Sequence, residues 1–158
     1  MNFSILSKNQ KETQKIAKLL AKNLRGGEIF GLIGDLGSGK TTFVQGVAAG
    51  LGIKEKIKSP TFVVLKKYKI SKHKTIKYLY HIDLYRISAS LATVKNVDNL
   101  GFDLNEIAKK NSVVFIEWAE KIESLLPKNW IKIEFKYISK NKREIIISKP
   151  KCQSSNVK

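Results

Sequence analysis

The stretch Gly34-Asp35-Leu36-Gly37-Ser38-Gly39-Lys40-Thr41 fits the pattern G-x-x-x-x-G-K-[ST]. An apolar run, Ile29-Phe30-Gly31-Leu32-Ile33, leads into it, and a helix-like stretch from Thr42 to Leu51 follows. Strand, glycine-rich loop and helix in that order are the setting of a phosphate-binding loop. The glycines let successive backbone N–H groups turn inward around an anion. A helix that begins where the loop ends adds the partial positive charge of its N-terminus. Lys40 would then reach β- and γ-phosphates, and the Thr41 hydroxyl would ligate Mg²⁺. Asp35, Gly37, Ser38, Gly39 and Thr42 complete the expected phosphate contacts. An ordinary glycine turn before a helix is the alternative for the loop taken by itself; the flanking strand and helix favour nucleotide binding.

Working outward, the chain has 158 residues, enough for one domain with a sizeable core. Leu6 sits in a short first strand. Ile16, Leu19, Leu20 and Leu24 give Gln10 to Arg25 a helical period, ended by Gly26-Gly27. Ser59-Pro60-Thr61 opens a β-rich middle, with strands over Phe62–Ile70 and Thr75–Leu84 joined by a turn at Ser71-Lys72-His73-Lys74. A helix is predicted over Leu104–Lys110, a buried strand over Ser112–Ile116, and a helical turn over Glu120–Leu125 stopped by Pro127. Trp130–Ile138 and Arg143–Ser148 close the chain as an antiparallel pair. Residues 1–148 thus read as one α/β domain and 149–158 as a disordered tail. A βα start followed by hairpins implies a mixed sheet flanked by helices, antiparallel at one side, with ligand at the C-terminal ends of the parallel strands.

The net charge is +17, which favours anionic partners such as tRNA. Yet Arg25, Arg86 and Arg143 are the only arginines, and the lysines are scattered along the whole chain. Compositional drift explains that pattern as well as a dedicated RNA surface does. No apolar stretch approaches a membrane span. Met1-Asn2-Phe3-Ser4 has no basic region followed by an apolar segment, which argues against a secretion signal. Cys152 is the single cysteine, so no internal disulfide forms. These features predict a cytoplasmic protein.

Nucleotide-bound Mg²⁺ needs an acid at the end of a second buried strand. Val113-Val114-Phe115-Ile116-Glu117 and Tyr78-Leu79-Tyr80-His81-Ile82-Asp83 both end that way. Glu117 is assigned to the metal and Asp83 to ordering or activating water, against the alternative that either merely caps a strand. Trp118 could stack on adenine or pack in the core. Arg86 could hold a phosphate, bind a partner's carboxylate, or form a surface ion pair of little energetic weight. His81 reads as a hydrogen-bonding side chain rather than a metal ligand. Ser59 and Thr61, in Ser59-Pro60-Thr61-Phe62, fall where switch segments sense a γ-phosphate; a plain loop is the other reading.

At Gly34–Phe43, Ser59-Pro60-Thr61-Phe62, His81-Ile82-Asp83-Leu84-Tyr85-Arg86 and Ile116-Glu117-Trp118-Ala119-Glu120 the chain closely resembles the TsaE (YjeE) family, in the family's order and spacing. The resemblance spans about residues 5 to 148. It implies a three-layer αβα P-loop NTPase fold with ATP and Mg²⁺ as ligands. It also implies ATP hydrolysis that drives or resets a TsaB–TsaD pair, which itself transfers the threonylcarbamoyl group to tRNA beside the anticodon. Contact with tRNA would be indirect or weak. Thr41 and Glu117 match the family's metal positions, Trp118 a residue beside the nucleotide, and Asp83 an acid implicated in hydrolysis. Thr13 falls where the family's N-terminal helix approaches adenine. Ser88–Gly101 departs from the family's acidic segment, which puts partner contacts made there in doubt.

Three rivals stand beside this reading. A GTPase is suggested by Asp98-Asn99-Leu100-Gly101 and by Asn141-Lys142-Arg143-Glu144, but Asp98 ends no buried strand and Glu144 replaces the guanine-pairing aspartate. A small-molecule kinase would need a lid rich in arginine. A non-catalytic nucleotide-sensing or RNA-binding module is permitted by the lysines but supported by no recognition motif.

Overall fold

A computed structural model describes residues 2–60, 64–87 and 101–149. The strands are β1 (Asn2–Ser7), β2 (Ile29–Ile33), β3 (Leu65–Lys69), β4 (Tyr78–Asp83), β5 (Ser112–Glu117), β6 (Ile131–Tyr137) and β7 (Arg143–Ser148). The helices are α1 (Gln10–Ala21), α2 (Lys40–Gly50) and the short α3 (Leu104–Ile107), with a kinked 3-10 segment at Ala119–Leu125. One seven-stranded sheet has the order β1-β7-β6-β2-β5-β4-β3. Its centre is parallel, with β2 between β5 and β6 and β4 beyond β5. Antiparallel pairing, expected at one side, occupies both: β3 lies against β4, and β7 lies between β6 and β1.

Alternation along the central strands sorts the core onto two faces. Phe30 and Leu32 of β2 and Val113 and Phe115 of β5 pack beneath α1 and α2. The Phe30 and Phe115 rings stack, with centroids 4.6 Å apart. Val114 and Ile116 face the other way and pack with Leu104, Ala119, Ile122 and Trp130. The helices thus form a layer on each side of the sheet. Helices α1 and α2 approach closely: a Cβ on Gly46 would lie 2.4 Å from the Gln14 carbonyl oxygen. Among the described residues no helix is long and apolar enough to cross a membrane.

Several elements are shorter than the sequence pattern predicts. Helix α1 ends at Ala21 rather than Arg25, because the amides of Lys22, Asn23 and Leu24 bond carbonyls three residues back and tighten the last turn out of the α geometry. Helix α2 starts two residues early, at Lys40, and ends at Gly50. Strand β3 starts at Leu65 because Val64 has φ +63°, off the extended region. Strand β4 starts at Tyr78, since the amides of Thr75 and Ile76 bond His73 Nδ1 in the preceding turn. Helix α3 stops at Ile107, where the Ser112 hydroxyl takes up the Ile107 and Lys109 carbonyls. The expectations for Thr61 and Phe62, for Ser88–Leu100 and for the tail from Pro150, Cys152 included, lie outside the described residues.

Candidate functional site

The loop between β2 and α2 sits at the C-terminal end of the central strand, and Lys40 opens the helix that follows. Its side chain folds back over the loop. Nζ donates to the Gly34 carbonyl at 2.5 Å and the Asp35 carbonyl at 2.9 Å, and lies 4.0 Å from the centre of the Trp118 ring. Only 4% of Lys40 is exposed. Burial pushes its ammonium below the ordinary value, while Glu117, Glu120, Asp83 and Asp35 pull it back up. A buried ammonium bonded to two neutral carbonyls is a cation ready for an anion. Asp35 contributes here through its backbone; Ser38 is buried with its hydroxyl lacking a hydrogen-bond partner.

The two acids meet across neighbouring strands. Asp83 ends β4, Glu117 ends β5, and the parallel register sets them side by side. The Thr41 hydroxyl donates to the Glu117 carboxylate, at 2.7 Å from Oε1 and 3.0 Å from Oε2. His81, fully buried and two residues before Asp83, places Nε2 2.8 Å from Glu117 Oε1. The Asp83 carboxylate accepts from the Ser59 hydroxyl and, at 2.9 Å, from the Tyr85 amide. Thr41, Glu117, Asp83 and Ser59 line a cavity of about 330 Å³ together with the loop, Tyr85 and Trp118, with His81 buried behind them. Arg86 follows in an exposed turn.

Magnesium favours hard oxygen donors, and a hydroxyl beside a carboxylate fits it. Among the described residues no group of three or more His, Cys, Asp or Glu side chains is gathered to hold a metal ion. Two protein oxygens suit an ion that keeps water and substrate phosphates as its other ligands.

A second hollow, of about 190 Å³, adjoins the loop. It shares Gly37, Gly39 and Thr42 with the first and adds Gln10, Thr13 and Arg143. Thr13 is buried, and its hydroxyl lies 2.8 Å from the Ser7 hydroxyl. Its methyl faces the loop, 4.0 Å from where a Cβ on Gly39 would stand. Thr13 lines this hollow, whereas Trp118 lines the first cavity beside Lys40. Trp118 holds its place in the left-handed region, with φ +61°.

A family model described as threonylcarbamoyl adenosine biosynthesis protein TsaE matches residues 7–145. The chain belongs to the TsaE family. It is 39% identical over 137 residues to the tRNA threonylcarbamoyladenosine biosynthesis protein TsaE of Bacillus subtilis, covering 87% of this chain and 79% of that one. It is 34% identical to the protein of the same description from Treponema pallidum, covering 90% and 98%. The crystal structure of Bacillus subtilis YdiB superposes with a TM-score of 0.73 at 33% identity, covering 93% of this chain and 84% of that one.

Two side chains at this TsaE-family site carry no motif. Lys121 Nζ donates to the carbonyls of Leu84, Tyr85 and Ile87 at 2.9, 2.7 and 2.9 Å, gathering the segment that follows Asp83. A lone lysine in a lysine-rich chain gives no warning of that role. Arg143 reaches the loop from the start of β7; its rarity as an arginine is the one signal that could have marked it.

Proposed function

We propose that this chain binds MgATP at the phosphate loop and hydrolyses it as the ATPase of threonylcarbamoyladenosine synthesis in tRNA. It drives or resets a TsaB–TsaD pair and does not itself perform the transfer. The observation that carries this reading is the contact of Thr41 with Glu117 beside the buried Lys40, at the mouth of the loop. Family membership supports the biological setting.

Lys40 trades its two carbonyl contacts for β- and γ-phosphate oxygens and neutralises their charge. Thr41 and Glu117 would hold Mg²⁺, which would supply positive charge to offset that of the phosphates. Glu117 is kept in place by His81. Asp83 orients the attacking water, and Ser59 links that carboxylate to the segment leading to Thr61, where loss of the γ-phosphate is passed towards the partner. The indole of Trp118, beside Lys40, serves the phosphate end rather than the adenine. The nucleoside then crosses Gly39 into the hollow at Gln10 and Thr13.

The test is ATP turnover of the full chain with and without a TsaB–TsaD pair. Strong stimulation is expected, Lys40→Ala abolishes turnover, and Asp83→Ala keeps ATP binding while cutting the rate. Absence of stimulation, with phosphate passed to a metabolite, would make the chain a kinase instead.

A further inference from the structure

The geometry points to Gln45 as a positioning residue for hydrolysis: its amide fixes the chain at Ile57 and so sets where Ser59 meets Asp83. This rests on the ATP reading above and deepens it by naming what keeps the switch segment in register with the phosphate loop.

Residues 53–60 leave α2 and double back along it with no helix or strand of their own. The Ile53 amide donates to the Ala48 carbonyl at 2.9 Å, near the helix end. The Ile57 carbonyl accepts from Gln45 Nε2 at 3.0 Å, nearly a turn earlier in the helix. Ser59 then lines the first cavity with Thr41, which lies one further turn back on the same helix face as Gln45. Between its two anchors the segment stands off from α2. A hollow of about 280 Å³ lies there, with Ala48, Ala49, Ile53 and Glu55 among its walls, and residues 54–56 are exposed. Ile57 itself is buried in the core. Its side chain fixes where the residue sits, and its carbonyl bond fixes which way the chain leaves it, two residues before Ser59.

Gln45 is held in turn. Gln14 of α1 donates from Nε2 to Gln45 Oε1 at 3.2 Å. With its oxygen taken by that donor, the Gln45 amide presents its nitrogen to Ile57, and a carbonyl can use only a donor. Gly46, beside Gln45, packs against the backbone of Gln14, which leaves the pair little room to drift. At the far end the Ser59 hydroxyl donates to Asp83, the acid assigned to orient water. Gln45 lines neither the first cavity nor the second hollow. Loss of its bond should therefore change the rate of hydrolysis and not the binding of nucleotide.

The experiment is steady-state ATP turnover of the full chain in Mg²⁺, with ATP affinity from calorimetry and thermal unfolding to show that each variant is folded. Gln45→Glu keeps the shape and the acceptor for Gln14 but sets a carboxylate against the Ile57 carbonyl. Its kcat should fall about tenfold, the upper range of one hydrogen bond, with ATP affinity within about twofold of wild type. Gln45→Lys offers a donor to the same carbonyl and should recover most of the rate. In an Asp83→Ala background Gln45→Glu should cost nothing further, because the two act along one path. Wild-type kcat in the folded Gln45→Glu chain would overturn the inference. So would a loss undiminished in the Asp83→Ala background, or an equal loss of ATP affinity, which would make Gln45 a packing residue. Turnover indifferent to Lys40→Ala or to Asp83→Ala would instead fail the hydrolytic reading and take the role of Gln45 with it.

Discussion

Trp118→Ala tests which end of the nucleotide the indole serves. The ring stands 4.0 Å from Lys40 Nζ, and the lysine is 4% exposed. The ring thus holds a long, rotamer-rich side chain in place before any anion arrives. Without it the ammonium is freed into solvent and must be ordered again on binding, at about 0.5–1.5 kcal/mol for one such side chain. That corresponds to about two- to twelvefold weaker binding. The loss acts through the lysine, so ATP and tripolyphosphate should weaken by the same factor in calorimetry. Trp118→Phe keeps a ring and should stay near wild type. Trp118→Gly should resemble Trp118→Ala in affinity yet recover part of the stability lost with the ring, since the left-handed backbone at φ +61° costs a non-glycine residue about 1 kcal/mol. A Trp118→Ala chain that loses ATP affinity and keeps tripolyphosphate would refute the argument and return the indole to adenine.

Two further outcomes follow from contacts deeper in the fold. His81→Ala removes the 2.8 Å support of Glu117 and should raise the Mg²⁺ concentration needed for half-maximal ATP turnover about tenfold, with His81→Gln partly restoring it; an unshifted Mg²⁺ titration would make His81 a packing residue only. Gly46→Ala gains up to about 1 kcal/mol of helix propensity, but its methyl would stand 2.4 Å from the Gln14 carbonyl oxygen, about 1 Å inside ordinary contact. Overpacking against rigid backbone costs about 1–3 kcal/mol, so thermal unfolding should fall by several degrees; a raised midpoint would mean that α1 has room to move.

The phosphate loop, the strand before it and the helix after it were legible because each is fixed by local chemistry: glycines, an apolar run and a lysine next to a threonine. The acids were legible for a related reason, since Asp83 and Glu117 end apolar strands whose pattern is local. The pairing of these two strands was not, because register is set by partners distant in sequence. Antiparallel strands on both sides of the sheet escaped for that cause too: β1 joins β7 across almost the whole chain. Element ends were missed where single side chains intervene, as His73 does before β4 and Ser112 does after α3. Arg143 and Lys121 were silent because their meaning lies in what they touch. Nor does the place of Trp118 beside Glu117 in sequence give any sign that Thr13 lines a different hollow at the same loop.

Lys121 has a mechanical consequence. Its one ammonium ties the carbonyls of residues 84, 85 and 87, and it is anchored only three residues beyond Trp118. The turns leaving β4 and β5 are therefore geared to each other like two levers on one pin. A displacement of the indole by an arriving or departing phosphate would swing Tyr85 and Arg86 at the molecular surface, with no need for the sheet beneath to deform.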